Sequence, residues 1–141
     1  MILLAVDPGA ARHGVAYNQG ELVLAVDAVA AGQDAVPKIS EIAEDKRAEG
    51  VVVGLPLSLS GDYTSSTKLA IALANELESS LAIPVRLIDE RLSTSGASRR
   101  LSGAGKSAKE QKQIIDSEAA REILMSALRI GFESCLELSD A

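Results

Sequence analysis

The chain has 141 residues, 47% of them hydrophobic, with a formal net charge of −6 at pH 7, which suits one domain, residues 1–141, with a core large enough to fold unaided. Tyr17, Tyr63 and Phe132 are its aromatic residues, Cys135 its one cysteine and His13 its one histidine; this argues against an aromatic-lined cofactor pocket and excludes an internal disulfide, a multi-cysteine zinc site and a histidine-rich centre. The acidic balance also argues against a broadly basic surface wrapped by nucleic acid.

Residues 2–6 read as a short apolar strand that runs into Asp7 without a basic leader. No apolar run approaches the ~18 residues of a membrane span, so a cytoplasmic protein is expected. After a loop from Asp7 to Gly14, a second strand near Val15 to Asn18, the turn Gln19-Gly20 and a third strand over Leu22 to Val26 predict an antiparallel meander. Gly32 and Asp34 open a helix carrying Val36, Ile39, Ile42 and Ala43 on one face, with Gly50 as its stop. Val51 to Gly54 is a short buried strand, and Leu55 to Tyr63 a loop punctuated by Pro56 and Gly61.

A helix from Thr64 to Leu81 is predicted with Leu69, Leu73 and Leu77 in its stripe. A strand over Val85 to Ile88 then ends at Asp89-Glu90. A polar helix is expected over Ser93 to Leu101, a mobile loop over Ser102 to Lys112, and a strong helix over Ile115 to Phe132 with Ala119, Ala120, Ile123, Leu124, Ala127 and Leu128 buried. The order predicts an α/β domain: a mixed five-stranded sheet, three strands in an antiparallel meander and two parallel, flanked by helices.

Three acids draw attention. Asp7 and Glu90 end apolar strands, and Asp116 precedes Ala119, Ala120 and Ile123 by three, four and seven residues, on the same helix face. Each has a bland reading alone: a turn former in Asp-Pro-Gly, a solvated loop acid, and a first-turn partner of the helix dipole. Strand carboxyl ends and adjacent helix termini form the ligand crevice of open α/β sheets, so together the three can converge. Convergent carboxylates need a cation, and oxygen-only ligands favour Mg²⁺ or Mn²⁺, ions suited to phosphodiester hydrolysis.

Basic residues cluster beside these acids. Arg86, Arg91, Arg99, Arg100, Lys106, Lys109 and Lys112 face only Asp89, Glu90 and Glu110 between positions 86 and 112. A charge run is ordinarily a solvated face; beside a phosphodiesterase site, Arg91, Arg99, Arg100, Lys106, Lys109 and Lys112 become candidates for guiding a nucleic-acid backbone. Arg12 either neutralises the acids or grips phosphate. His13 is expected in an exposed loop. Gly103-Ala-Gly-Lys-Ser107 imitates a nucleotide loop, but Arg100 stands where the first glycine is required and no strand leads into it.

Four motifs, Asp7-x-Gly9-x-x-Arg12-x-Gly14-Val-Ala, Val53-Gly-Leu-Pro-Leu57 with Gly61, Asp89-Glu-Arg-Leu-Ser-Thr94 and Ile115-Asp-x-x-Ala-Ala120-x-x-Ile-Leu124, together resemble the YqgF (RuvX) family across essentially the whole chain. The resemblance implies a ribonuclease H-like fold and a cytoplasmic, divalent-metal nuclease that matures the 5′ end of the pre-16S ribosomal RNA or cleaves branched or single-stranded DNA. It assigns the catalytic and metal-holding roles to Asp7, Glu90 and Asp116, with Asp89 beside them and Mg²⁺ or Mn²⁺ as cofactor. Related resolvases often carry a further carboxylate one helical turn beyond the helix acid; here Ala119 and Ala120 occupy those positions, so one or two ions stay open. Ser58 stands where many members have asparagine. Expected partners are nucleic acid and ribosome precursors, with monomer and homodimer both open. Two rival readings are a noncatalytic ribosome-assembly factor and an actin-like nucleotide-binding protein, the latter requiring a second domain to close the cleft.

Overall fold

The computed structural model describes residues 1–92 and 108–141, with side chains described over 1–92 and 118–141. Strands β1 (Leu3–Asp7), β2 (Arg12–Gln19) and β3 (Leu22–Ala30) form the meander, followed by α1 (Ala35–Asp45), β4 (Gly50–Leu55), α2 (Ser65–Ser80), β5 (Val85–Asp89), α3 (Ala108–Ile130) and a two-residue β6 (Leu136–Glu137). The sheet order is β3-β2-β1-β4-β5-β6. β4 runs parallel to β1 and β5, while β2, β3 and β6 pair antiparallel with their neighbours. Among the described residues no helix is long and apolar enough to cross a membrane.

β1 is buried along its whole length, because its period-two alternation feeds two cores. Leu4 and Val6 join Val51, Val53 and Leu87 under α1 and α2. Leu3 and Ala5 join Val52, Ile88 and the Ala120, Ile123, Leu124 and Ala127 row of α3 on the other face. With so few aromatics, the α3 side fills instead by close approach of alanines to the sheet. Its one ring, Phe132, slides under the start of β4, where a Cβ on Gly50 would lie 2.8 Å from Phe132 Cζ. Arg86 caps that ring at 5.2 Å from its centroid and donates through Nη1 to the carbonyls of Glu133 and Cys135. One residue of the basic cluster is therefore committed to stapling the C-terminal segment onto β5.

Asn18 performs a similar service at the other end. Its buried amide accepts from Leu3 N at 2.7 Å and donates to the carbonyls of Met1 and Gly20.

Several expectations are corrected. A sixth strand exists, because Leu136–Glu137 pairs with Arg86 and Leu87; two residues carry no readable alternation. The loop after β1 is shorter and β3 longer than expected, since pairing of Arg12 with Ala30 extends the hairpin. Gly50 begins β4 rather than stopping α1; the left-handed residue at the helix end is Arg47, φ 58°, behind which Ala48 N donates to Ala43 O. The α2 stripe is Thr67, Ala70, Ala74 and Leu77, with Leu69 exposed, because Thr64 as N-cap and Thr67 bonded to Pro56 O fix the helix rotation. α3 begins by Ala108, so the expected loop loses its last five residues, and it ends at Gly131, φ 92°, before Phe132. Leu128 is on its solvent side, 38% exposed. The polar helix expected over Ser93 to Leu101 lies outside the described residues.

β3 is the open edge of the sheet, and Asp27 is the one charge along it.

Phe132→Ala empties the space under Gly50 and removes the surface beneath Arg86. It is expected to lower the unfolding free energy by about 3 kcal/mol, read as a reduced urea midpoint at unchanged slope.

Candidate active site

The parallel strands deliver their carboxyl ends to one rim of the sheet. Asp7 is the last residue of β1 and pairs with Gly14 of β2; by alternation with Leu3 and Ala5 it belongs to the face covered by α3, and it is 2% exposed. The chain turns sharply after it. A Cβ on Gly9 would run into the carbonyl oxygen of Arg12, so glycine is what lets the loop close against β2. His13 reinforces this turn: it is buried on β2, not exposed in a loop as expected, and its Nδ1 accepts from Gly9 N at 3.1 Å.

Glu90 follows β5 at the start of a short 3-10 turn, Glu90–Leu92. Its carboxylate folds back over β4: a Cβ on Gly54 would lie 2.6 Å from Glu90 Oε1 and 2.6 Å from Ile123 Cδ1. Gly54 pairs with Ile88 of β5, and Val53 before it pairs with Val6 of β1. The strands bearing Asp7 and Glu90 therefore flank β4 on either side, about 10 Å apart as backbones, with a side-chain-free position between them. Asp7 Oδ1 and Glu90 Oε1 are shielded from solvent, with no hydrogen-bond donor on either atom among the described residues, while both residues engage other groups.

α3 runs antiparallel to β4, since Ile123 sits over Gly54 at the strand's end and Phe132 under Gly50 at its start. Its N-terminal half consequently projects beyond the carboxyl ends of the strands. Asp116 lies in the same register row as Ala120, Ile123 and Ala127, seven residues before Ile123 and about 10 Å further along the axis. Its side chain lies outside the described residues. Among the described residues no three His, Cys, Asp or Glu side chains gather into a metal cluster. The fit to an ion rests on donor chemistry: Asp7 and Glu90 offer hard anionic oxygen, which suits Mg²⁺ or Mn²⁺ over softer metals.

The adjacent charges are internally matched. Arg91 binds Asp89 through Nε at 3.1 and 3.0 Å and Nη2 at 2.6 Å, and Arg91 N donates to Asp89 Oδ1 at 2.9 Å. These hydrogen bonds hold the Asp89 carboxyl below its ordinary value and raise the guanidinium in turn. Arg91 Nη1 also donates to Leu59 O at 3.2 Å. Leu59 tips a small hairpin closed by the Leu57 to Tyr63 bridge and by Ser58 N donating to Asp62 O. Arg12 opens β2, half-buried, opposite Ala30. Arg99, Arg100 and Lys106 lie outside the described residues; Lys109 and Lys112 fall in α3, their side chains outside them as well.

The sequence marks Gly54 only as the end of a buried strand, whereas the structure makes it the floor on which Glu90 rests. The signal was a glycine inside an otherwise β-branched strand, which marks close approach of another group. Gly54→Ala is expected to displace Glu90 and Ile123 together, destabilising the fold by about 1–3 kcal/mol and weakening Mn²⁺ binding, read by chemical denaturation and calorimetry on the same preparation.

The chain is similar to known proteins along most of its length. A family model described as "RuvX: Holliday junction resolvase" matches residues 1–130. A "Putative pre-16S rRNA nuclease" of Leifsonia xyli subsp. xyli is 41% identical over 131 residues, covering 90% of this chain and 84% of its own. A protein of the same description from Clavibacter sepedonicus is 44% identical over 130 residues, covering 89% and 81%. Thermus thermophilus RuvC shares the fold at TM-score 0.53 and 17% identity, over 93% of this chain and 97% of that one. T. thermophilus RuvC in complex with Holliday junction substrate gives TM-score 0.55 at 14% identity, over 93% and 96%. With its family match spanning residues 1–130 and relatives 41% and 44% identical over about nine-tenths of its length, the chain belongs to the RuvX family of Holliday junction resolvases.

Proposed function

We propose that this member of a nuclease family is a divalent-metal-dependent phosphodiester hydrolase, acting in the cytoplasm on the 5′ end of pre-16S ribosomal RNA. The observation that carries the reading is the placement of Asp7 and Glu90 on the α3 face at two strand ends, either side of Gly54. The substrate follows the description shared by the relatives at about 40% identity. Asp7, Glu90 and Asp116 would hold Mg²⁺ or Mn²⁺, which when bound activates water and stabilises the oxygen leaving the phosphodiester.

The chain's own residues do the rest. Asp7 is fixed by β1 and Glu90 by the turn that follows β5 before substrate arrives, so little reorganisation is needed at the moment of reaction. Their charges repel a phosphate backbone at the strand ends unless a cation offsets them, so productive contact there would depend on the bound ion. Arg12, Arg99, Arg100, Lys106, Lys109 and Lys112 attract the backbone by charge. Tyr17 lies beneath Lys46, Phe132 is buried, and Tyr63 is half-exposed; a row of base-stacking platforms is absent among them, which favours recognition by backbone and shape over base sequence.

A second reading, cleavage of branched DNA, is favoured by the family's description. A panel of precursor ribosomal RNA, single-stranded RNA, single-stranded DNA and four-way junctions, each with Mg²⁺ and with Mn²⁺, ranks the two; fastest cleavage of the precursor is expected, and fastest cleavage of junctions would reverse the assignment. Asp7→Asn and Glu90→Gln are expected to fold and bind RNA while cleavage falls at least about a hundredfold; cleavage equal to wild type would remove both acids from the mechanism and leave a binding protein. Replacing Lys106, Lys109 and Lys112 together by Ala is expected to flatten the log–log salt dependence of single-stranded RNA binding by about two, measured by fluorescence anisotropy.

A further inference from the structure

The sequence suggests Arg91 as a phosphate grip, but its geometry points elsewhere. We propose that Arg91 is a positioning residue for Glu90, acting through Asp89 and through the Leu57 to Tyr63 hairpin. This rests on the reading of Glu90 as a metal ligand.

Arg91 N donates to Asp89 Oδ1 at 2.9 Å, closing a ring of backbone and side chain that has Glu90 at its centre. An aspartate bonding the amide two residues on is a turn-forming device, and here it sets the backbone from which the Glu90 carboxylate returns over Gly54. A free Asp89 side chain would rotate and release that ring. The Arg91 guanidinium prevents this by engaging both Asp89 oxygens, Nε at 3.1 and 3.0 Å and Nη2 at 2.6 Å, a planar fork that a carboxylate matches in one orientation.

The second anchor lies across the rim. Arg91 Nη1 reaches Leu59 O at 3.2 Å, and the same atom would be 3.3 Å from a Cβ on Gly61, whose φ is +89°. The hairpin is itself cross-braced, with Asp62 N donating to Ser58 Oγ at 2.9 Å and Ser60 Oγ to Asp62 Oδ2 at 2.9 Å. It springs from β4, the strand carrying Gly54. One guanidinium thus ties the turn that presents Glu90 to the extension of the strand on which Glu90 rests. Its four hydrogen bonds engage three of the five guanidinium N–H groups, one of them shared between the two Asp89 oxygens, so most of the fork is committed to holding position.

Lysine in place of Arg91 keeps the charge and loses the fork, so Arg91→Lys separates positioning from electrostatic attraction. The test measures three quantities on the full chain for wild type, Arg91→Lys, Asp89→Asn and the double variant: Mn²⁺ affinity by calorimetry, the salt slope of binding to single-stranded RNA, and kcat against KM for cleavage. Groups that orient metal ligands are worth 10–100-fold in affinity. Arg91→Lys is expected to weaken Mn²⁺ binding about tenfold and lower kcat, with the salt slope unchanged. Because Arg91 acts through Asp89, the double variant is expected to be no worse than the poorer single one.

Wild-type Mn²⁺ affinity and kcat in Arg91→Lys and Asp89→Asn, alongside loss of both in Glu90→Gln, would overturn the positioning role and leave the metal reading standing. Fully additive losses in the double variant would equally overturn it. Failure of wild type itself to bind Mn²⁺ would overturn the metal reading, and this inference with it. Arg91→Lys unfolded by circular dichroism would overturn the claim that the clamp is local, with Asp89→Asn carrying the same readouts independently.

Discussion

A carboxylate drawn out of water costs free energy unless the fold holds it in place, and Asp7 and Glu90 both sit at one rim, Asp7 buried and Glu90 folded back over β4. The sheet is what holds them there. β1 is stitched on both sides, antiparallel to β2 and parallel to β4, so Asp7 cannot swing outward without breaking a central strand. Glu90 is constrained differently: it leaves the sheet at the end of β5 and comes back over a strand that offers it no side chain. A single missing methyl group, at position 54, decides whether a carboxylate and the tip of Ile123 can share the space between two acid-bearing strands.

The rest of the domain can be read outward from that constraint. α3 must lie close to the sheet for its overhanging end to reach the rim, and a row of alanines over β1 and β4 permits this. Its opposite end must be held so that the helix does not pivot. Phe132 tucked under Gly50, with Arg86 folded across the ring and bonded to the carbonyls beyond it, supplies that fixed point some two turns from Ile123. The interior chemistry of the lower edge thus bears on the geometry of the upper one.

Much of this was legible from residue order. The strand ends bearing Asp7 and Glu90, the meander, and the α3 row from Ala119 to Ala127 follow from alternation and helical period. What escaped was set by local contacts that periodicity does not encode. Leu69 fitted an apolar stripe, yet Thr64 and Thr67 rotate α2 so that Ala70 and Ala74 go inward. An arginine took the left-handed position at the end of α1, where glycine is the usual sign. Two residues paired on β5 made a sixth strand too short to show a pattern. At the site, the four motifs marked the acids, but the partnership of Arg91 with Asp89 needed coordinates, since charge spacing alone fits a substrate contact equally well.

The meander leaves one further mark on the molecule. β6 pairs with the far side of β5, but among the described residues no strand pairs with the outer side of β3, whose outward amides and carbonyls have one carboxylate, Asp27, along them. Such a margin is a template for any extended polypeptide that meets it. The irregularity between His13 and Val15, which offsets the pairing of β2 with β3, breaks the flatness on which self-templating depends. The kink falls at Gly14, the residue paired with Asp7, so the device that roughens this margin and the strand end that carries an acid share one residue.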